Sequence, residues 1–203
     1  MSQQLIISVG REFGSIGHEI AEKLAQHYNL PLYDHNLLDE LVEANKLENV
    51  DVDELKELEE DKNNFVFYRT VKGHSNSPAH NISHMQFDFM KKKAEEGESF
   101  VIVGRCSEQM LKEYDGLISI FILEDMKDKV NRIMKYYDLP EKKAEKLVKY
   151  KNKKRKNYHN TYCEGKWGDS RNYDVCINCS RLGMDETIRF LVNYIDMRRG
   201  EIE

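Results

Sequence analysis

The stretch LIISVGREFGSIGHEIAEKLAQHYNLPLYDH, residues 5–35, decides how this chain is read. Leu5–Val9 is a short apolar run of the kind buried on both faces of a parallel sheet, and Gly10 ends it. Glycines recur at Gly14 and Gly17. From Gly17 to Tyr28, the residues Ile20, Ala21, Leu24 and Ala25 fall on one face of a helix. Asn29 and Pro31 close that helix, and Leu32-Tyr33 forms a brief second strand leading to Asp34. Strand, glycine-punctuated turn and helix is the layout of a phosphate-binding loop. Glycine lets successive N–H groups curl around one anion, and the helix N-terminus adds partial positive charge. Gly10, Gly14, Ser15 and Gly17 are placed for this, although a tight strand–helix turn without a ligand has the same outline.

The usual spacing of such a loop is G-x-x-x-x-G-K-[ST]. Here Gly10 fits, but Ser15 stands at the second glycine, Ile16 at the lysine and Gly17 at the hydroxyl residue. The lysine ordinarily neutralises the β- and γ-phosphates and follows the transferring group, which isoleucine cannot do. Arg11 is the candidate to supply the charge from within the loop. His18 is the candidate to donate to phosphate or approach a metal.

Beyond this region, FVIVGR (Phe100–Arg105), LISIFIL (Leu117–Leu123) and Tyr173–Cys179 read as further strands. Apolar spacing predicts helices around Leu37–Val42 and Val52–Leu58, and over Ser83–Glu96, Met126–Tyr137, Glu141–Tyr158 and Asp185–Arg198; Thr70–Asn81 has loop composition. Strands alternating with helices imply an α/β fold around a parallel sheet. Ligands of such sheets bind beyond the carboxyl ends of the strands. Gly10, Asp34 and Arg105 each follow a predicted strand and are expected to converge there.

Composition narrows the function classes. The chain has 203 residues, 40% hydrophobic and 33% charged, which suits one globular domain with a small insertion. A net charge of −5 argues against a general nucleic-acid binder, yet charge is unevenly spread. Asp34–Asp61 holds twelve acids and two lysines, whereas Lys142–Lys156 holds nine bases and the single acid Glu145. That basic block reads as a solvated helix face, a nucleic-acid patch or a cover for an anionic ligand. There is no secretory signal pattern, and no stretch approaches the roughly 20 apolar residues of a membrane span. The expected location is cytoplasmic, with the four cysteines reduced.

Four segments, GREFGSIGHEIAEKLA, LPLYDHNLLDEL, VIVGRCSEQML and KWGDSRNYDVCINCSRLGMDETI, together resemble the cytidylate kinase-like family. This is a branch of the nucleoside-monophosphate kinases within the P-loop NTPases, and the resemblance spans nearly the whole chain, weakest over about 45–97. It implies a three-layer α/β fold with a parallel five-stranded sheet, a helical acceptor-binding insertion at 45–97 and a basic lid at 141–165. The implied reaction is phosphoryl transfer from ATP to a nucleoside monophosphate, CMP or dCMP first, with Mg2+ bridging the donor phosphates. The family usually has glycine where Ile16 stands, so the absent lysine follows the branch. By the same resemblance, Gly10, Arg11, Gly14, Ser15, Gly17 and His18 surround the donor, Asp34 and Arg105 hold the acceptor, and Arg155 acts from the lid. Arg132 resembles another phosphate-contacting arginine, and Asn152 stands where related enzymes often carry Asp. No side chain is assigned to a metal. The expected partners are small nucleotides, without nucleic acid or membrane, and oligomeric state is open. Two rivals remain: a nucleotide-binding protein with weak or no kinase activity, and a kinase of another small metabolite.

Other residues are read as structural. Cys163, Cys176 and Cys179, near His159, include a C-x-x-C spacing that suggests zinc. Residues three apart on a strand point to opposite faces, however, so these are read as buried or free thiols. His74, His80 and His84 read as exposed loop histidines, and Asp174 as a turn or cap residue. Trp167 suits either stacking on a base or pinning its own loop, while Tyr158 and Tyr162 read as packing residues.

Overall fold

The computed structural model describes residues 4–34 and 78–200, with the side chains of 78–82 left aside. The helices expected around Leu37–Val42 and Val52–Leu58, the loop histidine His74 and most of the 45–97 insertion lie outside the described residues. The side chain of His80 does as well.

Among the described residues, five parallel strands form one sheet: β1 (Ile6–Arg11), β2 (Leu32–Tyr33), β3 (Phe100–Val103), β4 (Leu117–Leu123) and β5 (Val175–Asn178), in the order β2-β3-β1-β4-β5. The helices are α1 (Gly17–Tyr28), α2 (Pro78–Glu95), the short α3 (Ser107–Met110), α4 (Met126–Tyr137), α5 (Glu141–Tyr162) and α6 (Gly183–Arg199). Ile6, Ile7 and Val9 on central β1 are completely buried, because neighbouring strands flank them and helices cover both faces.

Alternation along the strands sorts the core into two layers. Ile7, Val9, Val103, Ile120 and Ile122 pack with Ile20 and Leu24 of α1 and Leu191 and Ile195 of α6. On the other face, Ile6, Phe100 and Ile102 pack with Phe87 and Met90 of α2. Each fully buried aliphatic side chain of this kind contributes on the order of 2 kcal/mol. A third cluster joins α4 to α5 through Val130, Ile133, Ala144 and Val148, with Phe13 packed against it. The outcome is a three-layer α/β sandwich, as the sequence predicts.

Some boundaries differ from expectation. β1 continues through Gly10 to Arg11, because its partner β4 is long and pairs Arg11 with Ile122. Arg11 is therefore the last residue of a strand and not part of the loop. β5 is shorter than expected. It starts after Asp174, whose carboxylate accepts the Ser119 N–H at 2.7 Å and the Ser119 hydroxyl at 2.8 Å. Cys179 lies past the end of β5, in a 3-10 turn (Cys179–Arg181). The basic helix α5 is one turn longer than its spacing suggests, because His159 near its end is buried.

Candidate active site

The carboxyl ends of β1 and β3 open onto one cavity of about 560 Å³. Its walls include Gly10–Ser15, His18, Gly104, Arg105, Arg132, Arg155 and Trp167. Of the sequence-predicted residues, all but Gly17 and Asp34 line this cavity. Asp34, directly after β2, is buried, and its Oδ2 lies 3.6 Å from His18 Nε2.

Arg11 is the centre of the charge arrangement. Burial holds its guanidinium well below the ordinary arginine pKa, Arg155 and Arg105 lower it further, and Asp34 opposes them. Three guanidiniums therefore converge, with the buried Asp34 carboxylate offsetting Arg11. Two glycines make the approach possible. A Cβ on Gly17 would lie 2.5 Å from Arg11 Cβ, and a Cβ on Gly104 would lie 2.3 Å from Arg11 Nη1. Gly104 also adopts φ +77°, and Arg105 and Cys106 continue with φ 60° and 56°. Left-handed backbone is uncommon outside glycine, so the chain after β3 is bent sharply to present Arg105 to the cavity.

The turn from Glu12 to Ile16 is tied internally. The Glu12 carbonyl accepts the Ser15 hydroxyl at 2.8 Å and the Ser15 N–H at 3.4 Å. Ser15 Oγ in turn accepts the Gly17 N–H at 3.3 Å. Ser15, expected to hold a donor phosphate, here shapes the turn. The Phe13 N–H donates to Asn152 Oδ1 of α5 at 2.6 Å. Ile16, at the place of the usual lysine, packs against the core layer under α1.

Two ion pairs support the turn from α4, and the sequence reading found only one member of them. Lys129 Nζ lies 2.5 Å from Glu12 Oε2, and the same oxygen accepts the Glu124 N–H at 3.2 Å. Arg132 holds Glu124 with both terminal nitrogens, Nη2 to Oε1 at 2.8 Å and Nη1 to Oε2 at 2.5 Å, and also donates to the Gly14 carbonyl. The bond to Glu124 raises the Arg132 pKa. Expected at a phosphate, Arg132 lines the cavity while bracing the turn from behind.

Helix α5 approaches from the other side. Arg155 Nη1 donates to the Arg11 carbonyl at 3.1 Å, and its guanidinium lies 5.5 Å from the centre of the Phe13 ring. Lys151 and Lys154 line the same wall. Trp167 meets Phe121 edge-on at 5.3 Å between centroids, so the ring that faces the cavity is also pinned to the sheet. Glu12, Lys129 and Glu124 carry no local motif in the sequence. Lys129 falls where a solvent-facing lysine would be expected, and only the fold shows it to be buried.

The set has the chemistry to hold a polyanion: clustered guanidiniums that fork onto phosphate oxygens, an α1 N-terminus, and a sheltered volume of nucleotide size. Among the described residues, no helix is long and apolar enough to cross a membrane.

No curated protein sequence matches this one. A solved structure of an uncharacterized protein from Eubacterium ventriosum ATCC 27560 is 42% identical, with a TM-score of 0.75 over 95% of this chain and 99% of that one. Shikimate kinase from Bacteroides thetaiotaomicron shares the fold at 12% identity, with a TM-score of 0.55 over 95% of this chain and 97% of that one. The family described as cytidylate kinase-like matches residues 6–181. With this coverage, and with the glycine turn and arginine cluster at the carboxyl edge of a P-loop kinase sheet, the chain belongs to the cytidylate kinase-like family of phosphotransferases.

Proposed function

We propose that the protein transfers the terminal phosphoryl group of ATP to a nucleoside monophosphate, with CMP or dCMP as the first acceptors to examine. The observation that carries this reading is the convergence of Arg11, Arg105 and Arg155 beside the glycine turn, with Asp34 at its edge. Like charges brought this close repel one another, and two phosphate chains would offset them. Arg11 and the α1 N-terminus around Gly17 and His18 would hold the donor. Asp34 and Arg105 would orient the acceptor, and Arg155 would approach the transferring group from α5. Transfer of this kind needs alignment and charge compensation more than covalent participation by the protein. Helix α5, within the 141–165 segment, would exclude water and so limit hydrolysis.

ATP suits the cavity's volume and charge. Mg2+ characteristically retains several waters and takes phosphate oxygens as ligands. Gly17 offers no hydroxyl to it and the Ser15 hydroxyl is bonded within the turn; Glu19, an exposed carboxylate on the cavity wall, would serve the ion's water shell. Bound Mg2+ would supply charge compensation across the donor phosphates.

Ile16 favours a second reading, nucleotide binding with weak turnover. It faces the core, and losing a cation in the transition state can cost several kcal/mol of barrier. A coupled ADP-release assay across the nucleoside monophosphates separates the two. Turnover with CMP or dCMP above the other acceptors supports the kinase. Tight ATP binding with no acceptor-dependent ADP release supports the second reading and refutes the first.

A further inference from the structure

Below the arginine cluster lies a group of side chains that the phosphotransfer reading does not use. Glu108 of α3 and His159 near the end of α5 are buried, and His159 Nε2 lies 2.5 Å from Glu108 Oε1. Cys163, four residues further along, sits against His159 and against the buried thiol of Cys106. Ligand atoms of Glu108, His159 and Cys163 all lie within 4.8 Å of one another. His159 Nδ1 is buried and has no hydrogen-bond partner. A buried nitrogen without a partner is unfavourable, and is unusual beside two thiols that could share one ligand with it. Cys106, Glu108 and His159 border the cavity, which gives an ion a route inward.

We propose that Cys106, His159 and Cys163, backed by Glu108, bind one divalent cation of the zinc class. Two sulfurs and an imidazole nitrogen form a soft donor set that selects such ions over Mg2+. Glu108 takes one ring nitrogen and leaves Nδ1 for the ion, the carboxylate–histidine–metal arrangement common around zinc. Ligand atoms about one zinc stand roughly 3.3–3.8 Å apart, so the side chains draw together on loading. The C-x-x-C pair is not part of the site. Cys179 is buried in the other core layer, and Cys176 lies on β5. The cation ties the last turn of α5 to the residue following Arg105, so it fixes the two elements that deliver Arg155 and Arg105.

The test is titration of the chelated, phosphine-reduced full chain with Co2+, read by thiolate-to-cobalt charge-transfer absorption. The expected result is saturation at one ion per chain, displacement by Zn2+ and indifference to excess Mg2+. Cys163→Ser abolishes the band, Cys106→Ser diminishes it, and Cys176→Ser leaves it intact. Glu108→Gln weakens affinity by about tenfold or more. Should the buried-cysteine variants fail to fold, alkylation of the wild-type chain decides, with modified peptides counted by mass spectrometry. Zn2+ must then slow modification of Cys106 and Cys163 while sparing Cys176. Absence of the charge-transfer band in the wild type overturns the proposal, as does a band that survives Cys163→Ser or vanishes in Cys176→Ser. Equal protection of all cysteines, or of none, does the same.

Discussion

Replacing Glu12 by alanine tests whether the turn after β1 stands on a buried charge. The Lys129 side chain is 4% exposed and its ammonium lies 2.5 Å from Glu12 Oε2. Removing one partner of a buried pair typically costs about 3–5 kcal/mol, because the other charge is left without solvent or counter-ion. The Glu12 side chain is 20% exposed, so water can partly enter the space it leaves, and the lower end applies: about 3 kcal/mol. The Glu124 N–H loses its acceptor too, adding about 1 kcal/mol. Lys129→Met should be milder, about 1 kcal/mol, since the remaining carboxylate keeps the Glu124 N–H and can hydrate. The double variant buries no unpaired charge and should fall about 2 kcal/mol short of the sum of the single losses. Urea unfolding at neutral pH, followed by fluorescence of the single tryptophan, Trp167, measures all four proteins. A Glu12→Ala variant within about 1 kcal/mol of wild type, or a double variant equal to the sum of the singles, would refute the argument.

Arg11→Ala should weaken ATP binding at least tenfold, about 1.4 kcal/mol, by calorimetry, and unchanged affinity would remove Arg11 from the donor site. Gly104→Ala must place a Cβ 2.3 Å from Arg11 Nη1 on backbone at φ +77°. It should lower the unfolding free energy by about 1–2 kcal/mol and weaken the same ligand, whereas a fully active, equally stable variant would contradict the packing described. Asn152→Ala leaves the Phe13 N–H unpaired and should cost about 1 kcal/mol, while Asn152→Asp retains an acceptor and most of the stability. If thermal unfolding ranks the two alike, the bond from α5 to the turn contributes little.

The sheet, the glycine turn and α1 are legible in the sequence because their signals are local. Leu5–Val9 and Leu117–Leu123 are apolar runs with flanking breakers, and α1 carries its face at Ile20, Ala21, Leu24 and Ala25. The convergence of Asp34, Arg105 and Arg11 follows from the rule that sites lie beyond strand carboxyl ends. What stays hidden depends on pairs distant in sequence. Whether Arg11 is strand or loop is decided by its partner Ile122. The Asn152–Phe13 bond spans 139 positions and the Lys129–Glu12 bond spans 117, and neither leaves a periodic trace. The cysteines show the converse. C-x-x-C spacing draws attention to Cys176 and Cys179, while the thiol that meets Cys163 is Cys106, just after β3 and 57 positions earlier in the chain. Arg132 resembles a phosphate neighbour by analogy, yet its hydrogen bonds go to Glu124 and Gly14.

Helix α5 is continuous from Glu141 to Tyr162, with Asn152 and Arg155 reaching the turn and His159 anchored to Glu108. Seven residues separate Asn152 from His159, a rod of about 10 Å. Pivoting it by ~10° about the anchored histidine sweeps the far end through about 2 Å. That is enough to break the bond to Phe13 and lift Arg155 with it. The turn is thus gripped by contacts spaced along one rigid helix, so whatever tilts α5 about His159 would loosen them together.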